Sequence, residues 1–143
     1  IAGAGPYEAA LRHLALKLGV AGCVDIRAIP PANRERMASE LAKAALVVLL
    51  SDYETHPIMA LEALALGRPV LVADTSGLSE LAEKGLARAI PLQSTAQQVA
   101  AAILDQLRQP LAPPSIDLPT WDECAASLFS LYKTVSRRPT CAS

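Results

Sequence analysis

Two glutamates, Glu54 and Glu62, are separated by seven residues in the stretch YETHPIMALE. Pro57 stands between them, and proline suits the first turn of a helix. One acid is therefore a loop residue and the other a helix residue, so both can face one pocket from different depths. Glu62 sits among Ile58, Met59, Ala60, Leu61, Ala63, Leu64, Ala65 and Leu66. That run suits a protein interior, and an unpaired buried carboxylate costs several kcal/mol. Glu62 therefore requires a partner. Arg68 or a backbone amide would make it structural; a bound ligand is the other solution. Glu54, taken alone, reads as a solvated loop acid. Thr55 or His56 is placed to cap the helix, and the backbone N–H groups of Thr55, His56 and Ile58 are expected to point out of its start, where a phosphate can sit. His56 reads as a cap or a pocket wall rather than a base.

Two further stretches have similar chemistry. AGAGP, with Gly3 and Gly5, lies between a strand end and a helix. Glycine lets backbone approach a ligand closely, although a tight turn explains the same pattern. ADTSGLSE repeats a strand, loop and helix around Gly77. Ser76 or Ser79 can cap that helix, and Glu80 suits its first turn electrostatically.

These loops need a frame. Strand-like runs at 23–29, 45–51, 69–73 and 87–92 alternate with helical patterns. The first helix contains Leu11, Leu14, Leu16 and Leu18 and stops at Gly19. The second has Asn33 as its cap. The third runs from Pro57 to Gly67, and a short one covers 79–84. The next is capped by Ser94 or Thr95, and a proline-rich crossing, LAPPSIDLP, leads to the last one, which begins near Trp121. The run ALVVLLS reads as a strand buried on both faces. Alternation of this kind predicts an α/β fold with a doubly wound parallel sheet and helices on both faces. Ligands in such folds bind beyond the carboxyl ends of the strands, which selects the loops at 3–6, 28–33, 51–57 and 74–78.

At 143 residues the chain has the size of one domain, expected over 1–138 with a frayed tail at 139–143. It is 52% hydrophobic, 19% charged and 3% aromatic, so its core must be built from Leu, Val, Ile and Ala. With a net charge of −1 and no basic block, nucleic acid and an anionic membrane surface are poor default partners. Three cysteines, Cys23, Cys124 and Cys141, fit neither a disulfide scaffold nor a zinc site and indicate a reduced, cytoplasmic setting. Cys23 reads as a packing residue and His13 as an inert surface residue. The longest apolar run, about ten residues, is too short for a membrane span. The chain begins at Ile1, in what reads as the end of a strand, and is expected to be part of a larger protein.

The segment YETHPIMALEALALGRPVLVADTSGLSELAEKG resembles the signature region of the group 1 family of retaining, nucleotide-sugar-dependent glycosyltransferases with the GT-B fold, which includes sucrose-phosphate synthase and bacterial mannosyltransferases. The matching residues are Glu54, Glu62, Ala63, Ala65, Gly67, Pro69, Val70, Gly77 and Glu80, with Ile1 to Pro6 as a second motif and Trp121 at the opening of the terminal helix. The resemblance covers nearly the whole chain, in order. It implies the Rossmann-like C-terminal half of a GT-B enzyme, lacking its first strand–helix unit. It further implies that Glu62 accepts hydrogen bonds from the ribose hydroxyls of a nucleoside diphosphate sugar, and that Glu54 contacts hydroxyls of the transferred sugar and is the catalytic residue at the reacting end. Gly3, Gly5, Thr55, His56, Pro57, Ile58 and Gly77 would line the diphosphate end, with Ala28 and Ile29 at the base. No metal ligand or cofactor is implied. The acceptor would be held by an absent N-terminal domain, which would leave the fragment alone inactive, and relatives of this kind include some that rest on the inner face of a membrane. Two departures stand out: Thr55-His56-Pro57 replaces the family's Gly-Phe-Gly, and the cations that neutralise the leaving diphosphate would precede Ile1. A non-catalytic nucleotide-binding or interaction module is the alternative of a different class.

Overall fold

The computed structural model describes residues 1–30, 32–111, 116 and 118–136. They form two compact units, Ile1–Ala45 and Leu46–Ser143. Cys141, the expected tail at 139–143 and much of the proline-rich crossing lie outside the described residues.

In the first unit, helix α1 (Glu8–Lys17) is followed by a 3-10 turn at Ala21–Cys23 and helix α2 (Arg34–Lys43). Asn33 caps α2 by accepting the Arg36 N–H at 3.1 Å, as its side chain is suited to do. The strand expected at 23–29 is reduced to one parallel bridge, Ala2 to Arg27. The α1 leucines are exposed, and Ala15 is the residue this helix buries. Cys23, expected in packing, is exposed on the 3-10 turn.

The second unit is built on a parallel sheet of β1 (Val47–Leu49), β2 (Val70–Asp74) and β3 (Arg88–Pro91), in that order. Helices α3 (Ile58–Ala65), α4 (Ser76–Glu83), α5 (Ala96–Arg108) and α6 (Trp121–Ser136) complete it. This is the Rossmann-like arrangement, parallel strands flanked by helices. The middle strand sets the core. Val70, Leu71 and Val72 are fully buried and Ala73 nearly so. Successive strand residues point to opposite faces, so both faces of β2 are covered. Each such Val or Leu contributes about 1.5–3 kcal/mol of burial. Leu64 of α3 and Leu78 of α4 are likewise fully buried.

The strand buried on both faces is therefore β2. In β1, Val47 is buried but Val48 is 37% exposed, because β1 pairs on one side only and lies at the edge of this sheet. Gln106 of α5, 1% exposed, donates to the Val70 carbonyl at 3.3 Å and accepts the Leu111 N–H at 2.9 Å. Both ends of its amide are satisfied, as burial requires, and the helix is tied to the start of β2.

Helix ends follow local chemistry. Helix α3 stops in a Schellman motif: the Arg68 N–H reaches the Ala63 carbonyl, the Gly67 N–H reaches that of Leu64, and Gly67 takes φ +66°, a conformation glycine adopts freely. Helix α5 opens with a reciprocal box between Thr95 and Gln98. Helix α6 has no buried residue, and Trp121, expected to dock it, is 91% exposed. Among the described residues, no helix is long and apolar enough to cross a membrane.

Candidate functional site

Strands β1 and β2 run parallel, with Leu49 beside Val72, so the loops that follow them emerge at the same edge of the sheet. That edge is where open parallel sheets hold ligands. The first loop carries Glu54 and leads into α3; the second, Thr75 and Ser76, leads into α4.

The two loops are tied together. Thr75 Oγ1 donates to the Asp52 carbonyl at 3.1 Å, the Glu54 N–H donates to Ser76 Oγ at 2.9 Å, and the Gly77 N–H donates to the Glu54 carbonyl at 2.8 Å. Within its own loop, the half-buried Glu54 carboxylate accepts a hydrogen bond from Ser51 Oγ at 3.0 Å. The Asp74 carboxylate, at the end of β2, accepts one from Ser79 Oγ at 2.7 Å.

Close contact dictates the residue types. A Cβ on Gly77 would lie 2.8 Å from both the Glu54 and Thr55 carbonyl oxygens. Backbone cannot yield there as a flexible side chain can, so any larger residue would push the acid loop away. Ser76 adopts φ +43°, the only positive φ of a non-glycine residue among the described residues. A residue with a Cβ is held in that region at a cost of about 1–3 kcal/mol.

Helix α3 starts differently from the expectation. Pro57 is buried and occupies the cap position rather than the first turn; neither Thr55 nor His56 supplies a side-chain cap. Pro57 has φ −77° and ψ +73°, and the Ile58 N–H donates to the His56 carbonyl at 2.8 Å. This is an inverse γ-turn, and it engages the Ile58 amide within the chain. Thr55 and His56 are exposed. Helix α4 likewise begins at Ser76 rather than 79, with no side-chain cap. Glu80, exposed on α4, faces Lys84 at 3.5 Å one turn on.

Glu62 is half-buried rather than sunk in the interior. The helix turns Ala60, Ala63 and Leu64 fully inward, and Glu62 lies at the margin of that face.

The remaining candidates belong to the first unit. The Gly3 N–H donates to the Arg27 carbonyl at 2.9 Å, and the Arg27 N–H donates to that of Ile1 at 3.0 Å. Gly3 and Gly5 therefore follow one extended segment while Ala28 and Ile29 follow its parallel neighbour, at the same edge. An added Cβ at Gly3 or Gly5 would meet nothing within 4 Å. Arg27 is committed to Glu40 at 2.6 Å and Asp25 at 3.2 Å. Past Ile29, Pro30, Ala32, Asn33, Arg34 and Glu35 line a shallow cleft of about 600 Å³.

The structure thus brings Glu54, Thr55 and Gly77 into one cluster, joins Gly3 to the strand that leads into Ala28, and leaves Ile58 with its amide spent. Ser51, Thr75 and Ser76 escaped the sequence reading as partners of the acid loop. The signals were there in part: Ser51 lies three residues before Glu54, and Ser76 adjoins Gly77.

Comparison with known proteins agrees with this arrangement. The family model for group 1 glycosyl transferases matches residues 1–116. A D-inositol 3-phosphate glycosyltransferase of Nocardiopsis dassonvillei is 30% identical over 142 residues, covering 93% of this chain and 33% of the relative. One from Jonesia denitrificans is 32% identical over 142 residues, covering 93% and 34%. One from Streptomyces scabiei is 40% identical over 68 residues, covering 48% and 15%. The chain spans about a third of the length of the first two relatives. It belongs to the group 1 glycosyl transferases.

Proposed function

We propose that these residues form the donor-binding part of a retaining hexosyltransferase that uses a nucleoside diphosphate sugar. The carrying observation is the state of Glu54: its amide, carbonyl and carboxylate are each engaged, at the carboxyl end of a parallel strand. An acid fixed so fully is pre-organised, and a preset geometry supplies a large share of a catalytic barrier's reduction.

In this reading Glu54 orients the hydroxyls of the transferred sugar and faces the positive charge that grows at its anomeric carbon. Glu62 accepts hydrogen bonds from the ribose. In the second unit, backbone at Thr55 and His56 is offered to a phosphate, with Pro57 shaping the turn; in the first unit, Gly3 and Gly5 offer backbone to a phosphate, and Ala28 and Ile29 offer a surface to a base. The bond from the anomeric carbon to the diphosphate breaks, and a bond to the acceptor oxygen forms on the same face. The acceptor hydroxyl passes its proton to the departing diphosphate oxygen on that face. The open space beside Gly3 and Gly5 supports a close ligand approach there. The scheme requires no resident metal or cofactor.

D-inositol 3-phosphate, the compound in the relatives' names, is the first acceptor to test. The acceptor is held by an N-terminal domain, so residues 1–143 alone bind nucleotide without turnover. The setting is cytoplasmic, and cell fractionation decides association with the inner face of a membrane. The test uses the protein as its cell makes it, with UDP-, GDP- and ADP-hexoses offered alongside D-inositol 3-phosphate. Transfer with retained anomeric configuration, lost in Glu54→Gln while nucleotide affinity persists, is the expected result. An inverted product, or equal loss of turnover and affinity, overturns the assignment.

A second reading rests on the Ile58 amide. Its engagement with His56, beside a Thr55-His56-Pro57 turn, suits a module that binds nucleotide but transfers nothing. Nucleotide binding without transfer to any acceptor would select it.

A further inference from the structure

We propose that Ser76 is a positioning residue for Glu54, acting through its side-chain oxygen across the gap between the two loops. The inference rests on the proposed donor site and goes beyond it, because Ser76 has no role in that reading. The Glu54 N–H donates to Ser76 Oγ at 2.9 Å, over a separation of 22 residues. No local turn imposes this bond; it exists because the loops after β1 and β2 meet. Ser76 reaches it with a left-handed backbone, φ +43°, which glycine would adopt with far less strain. Serine side chains are not specially suited to that conformation, whereas asparagine and aspartate are. A hydroxyl thus stands where the backbone alone would favour glycine.

The hydroxyl completes a set. The Gly77 N–H holds the Glu54 carbonyl at 2.8 Å, and Ser51 Oγ holds the carboxylate at 3.0 Å. Ser76 holds the remaining handle, the amide. Without it, the peptide between Tyr53 and Glu54 is free to rotate while the carbonyl stays pinned. The carboxylate then swings away from the position it shares with the sugar. Small misplacements of this kind lower turnover steeply and leave binding of remote parts of the substrate intact.

The test compares Ser76→Gly, which relieves the backbone strain, with Ser76→Ala, which keeps the Cβ and deletes the oxygen. Both are made in the protein as its cell makes it. The nucleoside diphosphate hexose and acceptor that give transfer are used, with Glu54→Gln as reference. Expected in both variants is a fall in kcat of about tenfold, with KM for the donor within about twofold of the parent. Ser76→Gly should unfold at no lower a temperature. Amide hydrogen exchange at Glu54 should quicken about tenfold at unchanged global stability, a readout that needs no turnover. A Ser76→Gly protein with parental kcat, or unaltered exchange at the Glu54 amide, overturns the proposal. If Glu54→Gln abolishes transfer and Ser76→Gly keeps the parental kcat, the positioning role fails alone. If Glu54→Gln also leaves transfer intact, the donor-site reading fails with it.

Discussion

Gly77, in the first turn of α4, and Gly5, just before α1, each follow an extended segment at the opening of a helix, yet their surroundings are opposite. At Gly77 an added methyl group would strike two carbonyl oxygens of the acid loop at 2.8 Å. At Gly5 it would meet nothing within 4 Å. One glycine is demanded by the chain's own packing; the other is not, so any need for it comes from outside the chain. The two loops differ accordingly in construction. The one at Gly77 is bonded to its neighbour through Thr75, Ser76 and Gly77 itself. The one at Gly5 is attached through its Gly3 amide to Arg27 and, at the start of α1, by the Glu8 N–H to the Gly5 carbonyl. A glycine in a strand-to-helix turn is therefore not by itself a sign of a ligand; what a Cβ would meet separates the cases.

The largest effect should come from breaking the packed side. Gly77→Ala forces backbone apart, and overpacking of this sort costs about 1–3 kcal/mol. The urea midpoint of the variant should fall by the equivalent amount, and transfer should fall with it. A parental midpoint would show that the acid loop yields freely and that the contrast between the loops is empty.

Next in size is Ser51→Ala. It deletes one hydrogen bond to a half-buried carboxylate, worth about 1 kcal/mol net. Because Ser76 and Gly77 still hold the Glu54 backbone, the loop should keep its course. The measured loss of stability should therefore stay well below that of Gly77→Ala, and a larger one would locate the anchor in the side chain instead.

A third comparison uses a similar tie in an exposed place. At the start of α6, the Thr120 N–H and Oγ1 donate to Glu123 Oε2 at 2.7 and 2.9 Å, and the Glu123 N–H returns a bond to Thr120 Oγ1 at 3.2 Å. The backbone bond first and the hydroxyl bond second hold the Glu123 carboxyl below its usual pKa. A depressed carboxylate contributes stability above its unfolded pKa and loses it as pH falls through the folded value. Acidification below about pH 4 should thus fray the first turn of α6, read as faster exchange of the Cys124 amide. Glu123→Gln should remove that pH dependence. The sheet should not respond, since α6 buries no residue.

Much of this was legible in the sequence where the cause is local. The stop of α3 at Gly67, the cap at Asn33 and the opening of α5 at Thr95 each depend on residues within a turn of one another. The apolar run at β2 was readable as a strand, and the alternation of elements gave the sheet type. What escaped depends on distant neighbours. Val48 is exposed because β1 is paired on one side only, which a run of β-branched residues cannot report. The bond from Glu54 to Ser76 joins residues 22 apart. The Ile58 amide was misjudged for a finer reason: Pro57 fits both the first turn and the cap of a helix, and its ψ of +73° selected the cap. The exposure of Trp121 has no counterpart in the amphipathic pattern of its helix.

The smallest stability effect belongs to the open loop. Neither Gly3 nor Gly5 adopts a left-handed backbone, and both have room for a methyl group. Alanine there restricts the unfolded chain without colliding in the folded one, so Gly3→Ala and Gly5→Ala should leave stability unchanged or raise it by up to about 0.5 kcal/mol. Their effect should appear in binding instead. If backbone at this loop lies against a diphosphate, a methyl group occupies space the ligand needs, and calorimetric titration with UDP, GDP and ADP should show affinity weakened several-fold for whichever nucleotide binds. Gly77→Ala should show the reverse order of effects, stability first and affinity second. Equal behaviour of the two substitutions would remove the distinction between a glycine kept for the fold and one kept for a ligand.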